Sequence, residues 1–345
     1  MLNAGAAQSI KFYRSEPYMA QRTLEITHVS SNLNRAFTIS RGAKTSAETL
    51  RVELREGSAT GRGECVPYPR YGETVPGVQA VLEEMKPRIE AGMTRKELNA
   101  ALPAGAARCA LDCALWDLEA KQTGTPVWQL AGLPEPKPVE TAVTVSMDTP
   151  EAMGEAARDT PGALLKLKLG DPEDLARIEA VHKARPEARL IVDANEGLLP
   201  NQFPQIVKRA ASLGVVLIEQ PFPADKDDGL LRRPGPIAVC ADESAHTSAE
   251  IQHLSRRYDA VNVKLDKTGG LTEAIRMVRA ARESGMGVMI GCMVASSLSM
   301  APAMLLAGLA DAVDLDGPIW LAEDIANGLV YSGGMVSPPL RELWG

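Results

Sequence analysis

The chain has 345 residues, 45% apolar, 23% charged and only 4% aromatic, with a formal net charge of −7. That balance excludes a disordered, collagen-like or low-complexity chain. With no basic block, it also argues against nucleic acid or an anionic membrane as partner. At roughly 100–200 residues per domain, the length predicts two domains or one barrel with an accessory unit.

Residues 1–22 are polar, broken by charge and without an apolar signal core, and predict a poorly ordered extension. No run of 18 apolar residues predicts a membrane span. The five cysteines are odd in number and form no CxxC pair, which predicts buried thiols and a cytoplasmic location. Cys109 and Cys113 stand four apart with no second ligand pair nearby, so they read as structural thiols.

Residues 23–29 and 50–56 predict strands, with a polar loop at 40–49 between them. The segment 61–69 leads into a second loop, PYPRYGET (67–74). Helices are predicted over 75–90 and 104–122. The second carries a stripe of Ala107, Leu111, Ala114, Leu115 and Leu118, and Gly124 and Pro126 stop it. PEPKP (134–138) predicts a stiff linker, so 23–135 reads as an α+β capping domain.

Eight short apolar runs follow, at 141–146, 164–169, 189–194, 215–221, 237–243, 260–265, 287–293 and 312–318, with helix-like segments between them. This alternation predicts parallel strands joined by right-handed crossovers, in number a barrel of the (β/α)7β type over 136–324. A doubly wound open sheet is the alternative, and no GxGxxG after the first run supports it. No eighth helix is expected after Pro318, and 325–345 is expected to return to the cap.

Each run ends on Thr144, Lys168, Asp193, Glu219, Asp242, Lys264, Cys292 or Asp314, spaced 22–28 residues apart. A lone Asp after a strand is ordinarily a helix cap and a lone Lys a solvated rim residue. Acids and bases at matching ends of consecutive strands are better explained by one mouth, where a barrel keeps its active site. Asp193, Glu219 and Asp242 would repel one another unless a cation neutralised them, and all-oxygen ligands favour Mg²⁺, with Mn²⁺ able to substitute. None of the four histidines ends a strand, which disfavours zinc, and His246 reads as a loop residue. Lys166 and Lys168 share a face of the second strand, and Lys264 ends the sixth, across the barrel. One ammonium on each side suits removal of a proton α to a carboxylate and its return from the other face. Crowded cations would lower one another's pKa, helping one serve as base. Lys267 reads as a loop residue, a weaker alternative to Lys264.

KLKLG, DANEG, IEQPF, ADES and NVKLDKTGG, with GECVPYPRYGE, ALWDL and GTPVWQLAG in the first third, together resemble the enolase superfamily, in the branch with a lysine on each side of the site. Asp314 and Asp316 in DLDGP resemble its dipeptide epimerases, closest to those acting on L-Ala-D/L-Glu. The resemblance implies metal-dependent epimerisation at the α-carbon of the C-terminal residue, L-Ala-D-Glu to L-Ala-L-Glu, in murein peptide recycling. It makes Lys168 and Lys264 the acid/base pair, with Lys166 neutralising the attacked residue's carboxylate. Asp314 and Asp316 would hold the substrate ammonium, Thr144 and Cys292 would face the dipeptide, and Arg41 would meet an acidic side chain, with Arg70 and Arg35 as alternatives. The partner expected is a small dipeptide, and a homo-oligomer is allowed. A muconate cycloisomerase-like or o-succinylbenzoate synthase-like lyase lacks a use for the Asp pair. A non-catalytic metal-dependent binding protein lacks a use for the two lysines.

Overall fold

The computed structural model describes residues 21–345 except 171, 172, 232–234 and 236. Of the extension assigned to 1–22, residues 1–20 lie outside the described residues. Arg22 is held by Glu56 and the Met93 carbonyl.

Three antiparallel strands come first: β1 (Thr23–Ile39), β2 (Gly42–Glu56) and β3 (Ala59–Cys65). Leu50, Val52 and Leu54 alternate along β2 and are buried, as the strand period requires. One expectation is corrected here. Residues 42–49, expected as loop, are strand. Their polarity suits a hairpin that projects beyond the core and is exposed over much of its length. Residues 61–65, which carried no strand assignment, are strand as well. Their glycines look turn-like, but a Cβ at Gly61 or Gly63 would collide with the backbone of the helix packed on them.

That helix is α3 (Ala106–Thr123), preceded by α1 (Val75–Glu90) and α2 (Arg95–Ala101) and followed by α4 (Val127–Leu130). Thr74 caps α1 through the Gly77 N–H, and a Thr94–Glu97 capping box starts α2. A two-residue strand, β4 (Val139–Glu140), leads into the second layer.

The second layer alternates strands and helices: β5 (Val143–Val145), α5 (Pro150–Asp159), β6 (Leu164–Lys168), α6 (Asp174–Ala184), β7 (Arg189–Asp193), α7 (Phe203–Ala211) and β8 (Val215–Glu219). It continues through β9 (Ala238–Ala241), α8 (Ile251–Leu254), β10 (Ala260–Val263), α9 (Leu265–Thr268), α10 (Leu271–Glu283), β11 (Gly287–Gly291), α11 (Ser297–Ala307) and β12 (Ala312–Asp314). β5 to β12 pair in chain order, all parallel. The Ala142 N–H donates to the Val313 carbonyl at 2.7 Å and joins the first strand to the last. Among the described residues no helix lies between β8 and β9. β13 (Tyr331–Ser332) and β14 (Met335–Val336) pair back to β4, and the tail then docks on α3, where the Trp344 indole donates to the Cys113 carbonyl.

The barrel interior is built on the strand period of two. Ala142, Leu164, Ile191, Leu217, Cys240, Ala260 and Met289 form one apolar cluster, with Ala312 against it. Two residues further along each strand the inward positions change character: Thr144, Lys166, Asp193, Glu219, Asp242, Asn262, Gly291 and Asp314. Another step of two brings Lys168, Lys264 and Asp316. An apolar plug thus supports a charged floor.

Candidate active site

Lys166 is the centre of the floor. Its Nζ lies 2.7 Å from Glu219 Oε2, 2.7 Å from Asp314 Oδ2 and 3.2 Å from Asp193 Oδ2. Lys168, one inward step higher, donates to Asp193 Oδ2 at 2.6 Å. Across the row of acids, Lys264 donates to Asp242 Oδ2 at 2.6 Å and stands 3.9 Å from Glu219 Oε1. Asn262 supports Glu219, with its Nδ2 donating to Oε1 at 2.7 Å. Gly291 leaves the room for it, since a Cβ there would overlap the Asn262 amide. Asn262 escaped the sequence reading. Its signal was a polar residue inside an apolar run, two before Lys264.

Lys267 is no loop bystander. It sits on α9, fully buried, and donates to Asp242 Oδ1 and the Asp242 carbonyl, each at 2.5 Å, and to the Asn262 carbonyl at 3.0 Å. It does not line the cavity above the floor, which Lys168 and Lys264 do.

Burial disfavours every charge here, so the partners decide. Burial and the neighbouring Asp193 push the Glu219 carboxyl up to about 7 against the pull of Lys166. Burial acts the same way on Asp193 and Asp242, but Lys168 and Lys166 for the first, and Lys264 and Lys267 for the second, hold them below the usual carboxylate range. Burial also works against the Lys264 and Lys166 charges, and the facing carboxylates overcome it and hold both ammonium groups well above the usual range. For Lys166 and Lys264 the expectation of depression by mutual repulsion is therefore corrected: carboxylates within 2.7 Å of each outweigh the neighbouring cations.

The acids expected to hold a cation come together on adjacent strands. Among the described residues, however, no three His, Cys, Asp or Glu side chains already converge as a ligand set. Lysine ammonium groups stand between these carboxylates and satisfy much of their charge. The chemistry of the donors still suits a hard cation. Glu219 Oε2 is buried with no hydrogen-bond donor, its contact with Lys166 being close but misdirected, and Asn195 Oδ1 and Glu243 Oε2 are buried and unpartnered nearby. Asn195, Glu196 and Gln220, which follow the two acid-bearing strands β7 and β8, all have positive φ, a conformation held by the surrounding structure.

At the far side of the floor, Asp314 gives Oδ2 to Lys166 and keeps Oδ1 buried without a partner. Asp316 accepts from the Thr144 N–H at 2.7 Å and from the Trp320 indole at 3.3 Å. Burial and the adjacent Asp314 raise its carboxyl to about 6. Thr144 and Cys292 line the same cavity, which has a volume of about 1010 Å³.

Its outer wall comes from the first layer. Arg41 donates to Glu243 Oε1 at 2.9 Å, to the Asn195 carbonyl at 3.1 Å, and to Glu196 and Tyr68 at 3.4 Å. Arg70 forms a two-point pair with Glu196, 2.6 Å for each bond. Arg35 instead stacks on Trp320 and does not line the cavity. His246 is a loop residue, as expected, with Tyr71 edge-on against its ring. Glu196 and Glu243 were not singled out from sequence.

Residues 151–342 match the family described as Enolase C-terminal domain-like. Residues 21–132 match the Mandelate racemase / muconate lactonizing enzyme, N-terminal domain. The L-Ala-D/L-Glu epimerase of Escherichia coli (strain K12) is 42% identical over 316 residues, covering 91% of this chain and 98% of that protein. The N-acetyl-D-glutamate racemase of a Pseudoalteromonas species is 44% identical over 291 residues, covering 83% and 91%. A solved enolase family member from Agrobacterium tumefaciens, described as homologous to dipeptide epimerases and holding sodium and L-Ala-L-Glu, superposes with a TM-score of 0.91. It is 49% identical, over 94% of this chain and all of that one. The chain belongs to the enolase superfamily, in the branch of the dipeptide epimerases.

Proposed function

We propose that this protein epimerises dipeptides at the α-carbon of the C-terminal residue, with L-Ala-D-Glu to L-Ala-L-Glu as the leading reaction. The observation that carries the proposal is the placing of Lys168 and Lys264 on opposite sides of one carboxylate row, facing one cavity. A substrate carboxylate above that row would present its α-carbon between the two Nζ atoms. The lysine that has given up its proton takes the α-proton, and the C–H electron pair moves into the carboxylate. The other lysine, still an ammonium, then protonates the opposite face. Lys264, held as ammonium by Asp242, suits the donor in that direction. Asp193, Glu219 and Asp242 would hold Mg²⁺, or Mn²⁺ in its place, and the ion would stabilise the charge developing on the substrate carboxylate. Lys166 would balance that charge from below. The barrel over 136–324 carries this chemistry, with 23–135 and the tail as its cap.

Asp314 and Asp316 support a free ammonium on the N-terminal residue, since Asp314 Oδ1 lacks a donor. A second reading, racemisation of N-acetylglutamate, keeps the glutamate end and replaces that ammonium with an amide. It is favoured by the Pseudoalteromonas relative. We place the enzyme in the cytoplasm, in recycling of murein peptides. Among the described residues no helix is long and apolar enough to cross a membrane.

The test is proton exchange in D₂O with Mg²⁺, followed by NMR on L-Ala-L-Glu and on N-acetylglutamate. Loss of the Glu α-proton signal from the dipeptide alone is expected. Exchange in N-acetylglutamate alone selects the second reading, and no exchange in either removes both.

A further inference from the structure

Outside the cavity lining, four polar side chains converge: Gln220, Ser244, Tyr258 and Asp227. Gln220 follows Glu219 directly and is fully buried, in a left-handed backbone conformation with φ of 35°. Its backbone N–H donates to the Cys240 carbonyl at 2.8 Å and its carbonyl accepts from the Glu196 N–H at 2.9 Å, so it joins the ends of all three acid-bearing strands. Its side chain reaches the third acid. Oε1 accepts from the Asp242 N–H at 2.8 Å and from the Ser244 N–H at 3.1 Å. A backbone N–H can only donate, so this end of the amide is the oxygen. Nε2 donates to the Ser244 hydroxyl and the Phe222 carbonyl, each at 2.8 Å, and to the Tyr258 hydroxyl at 3.1 Å. Both hydroxyls give their own protons to Asp227 Oδ2, Ser244 at 2.7 Å and Tyr258 at 2.6 Å. The other oxygen of Asp227 is paired with Arg257, and Asp227 is 1% exposed.

We propose that Asp227 is a positioning residue for the carboxylate floor: by taking the Ser244 and Tyr258 protons, it holds the Gln220 amide with its oxygen toward the Asp242 backbone. This rests on the epimerase reading above, in which Glu219 and Asp242 hold the cation. A hydroxyl has one proton to give. Once Asp227 accepts it, each hydroxyl faces Gln220 as an acceptor, and only the NH₂ end of the amide fits there. The relay carries the polarity of a buried ion pair to the strand end that aims Asp242 at the site. Asp227→Asn keeps the shape and reverses the polarity. With the new amide's oxygen kept on Arg257, its NH₂ meets the two hydroxyls, whose protons then turn to Gln220 and compete with Nε2. The Gln220 amide must turn over or draw back, and in both cases the Asp242 N–H loses its acceptor. Lys264 and Lys267 still hold the Asp242 carboxylate, but on a looser backbone.

The experiment adds Mn²⁺ to the full chain and to its D227N variant, reads free Mn²⁺ by EPR, and follows L-Ala-L-Glu epimerisation at saturating Mg²⁺. In D227N the Mn²⁺ Kd rises about tenfold, the size usual for a group that supports a metal ligand from behind. The kcat for L-Ala-L-Glu also falls about tenfold, with KM changed by less than about twofold, since the relay does not line the cavity. S244A/Y258F removes both hydroxyls and leaves the Asp227–Arg257 pair in place. It should weaken Mn²⁺ binding only about threefold, because the Phe222 carbonyl still holds Nε2. Wild-type Mn²⁺ affinity in D227N, or in S244A/Y258F where D227N does not fold, overturns the proposal and leaves the epimerase reading intact. A rise in KM with kcat unchanged does the same. A wild-type chain that binds no Mn²⁺ overturns the reading of the acids as a cation site, and this proposal with it.

Discussion

The floor and the wall of the cavity hold the same kinds of group in different ways. On the floor, Lys166 and Glu219 are at most 1% exposed, and each side chain is aimed by a strand whose register its neighbours set. On the wall, Arg41 and Arg70 keep 29% and 35% of their side chains exposed and are held by ion pairs between a hairpin or loop and the barrel. Backbone register cannot shift by a fraction of a residue, so the floor offers fixed distances. Solvated ion pairs contribute little each and exchange partners readily. On the proposed function, proton transfer belongs to the floor and substrate selection to the wall, and each half of that division can be broken separately.

The largest effect belongs to the floor. Lys168→Ala and Lys264→Ala should each cut epimerisation by ~10³-fold or more, about 4 kcal/mol of barrel-mouth chemistry. If each lysine serves one face, as proposed, one variant should still exchange the α-proton of a single epimer in D₂O. NMR of both epimers reads this directly. Full turnover in either variant would take the chemistry out of the floor.

A second prediction concerns the joint between the halves. Asp266 follows Lys264 by two residues and accepts from the Val66 N–H, at the end of β3, at 2.9 Å. Burial raises its carboxyl to about 7, above the ordinary value near 3.9. The folded state therefore binds this proton more tightly than the unfolded chain. That contribution is complete below about pH 4 and is lost as pH rises through about 7. Asp266→Asn still accepts from Val66 but cannot ionise. Urea unfolding should show the wild type losing stability relative to the variant between pH 4 and 8, by a few kcal/mol on the order implied by such a shift. Parallel curves would mean that the Asp266 charge is accommodated without cost.

This contrast also decides how much was legible in the sequence. The floor follows one strand period, so polar residues at the ends of the apolar runs marked most of it without any knowledge of contacts, and only Asn262 and Gly291 went unmarked. The wall has no such period. Arg41 and Glu243 are 202 residues apart, and Arg70 and Glu196 are 126 apart, so nothing local marks the partners. The third strand was hidden for a packing reason, its glycines being required by α3 and not by a turn. Lys267 looked peripheral because the short helix that turns it back onto Asp242 begins right after Lys264.

The smallest effect is expected at Arg41. Its removal takes a cation from the cavity and also one of the cap contacts on the Asn195–Glu196 turn, while the Ser40 hydroxyl and the two-point Arg70–Glu196 pair stay. The loss of charge should act on acidic substrates alone, and the loosened turn on all of them. Arg41→Ala should therefore raise KM about tenfold for L-Ala-L-Glu and only about twofold for L-Ala-L-Ala, a difference near 1 kcal/mol. Lysine should not restore the wild-type values, because it cannot span Glu243 and the Asn195 carbonyl as the guanidinium fork does. Equal increases for the two dipeptides would leave Arg41 as a latch between cap and barrel with no part in selection.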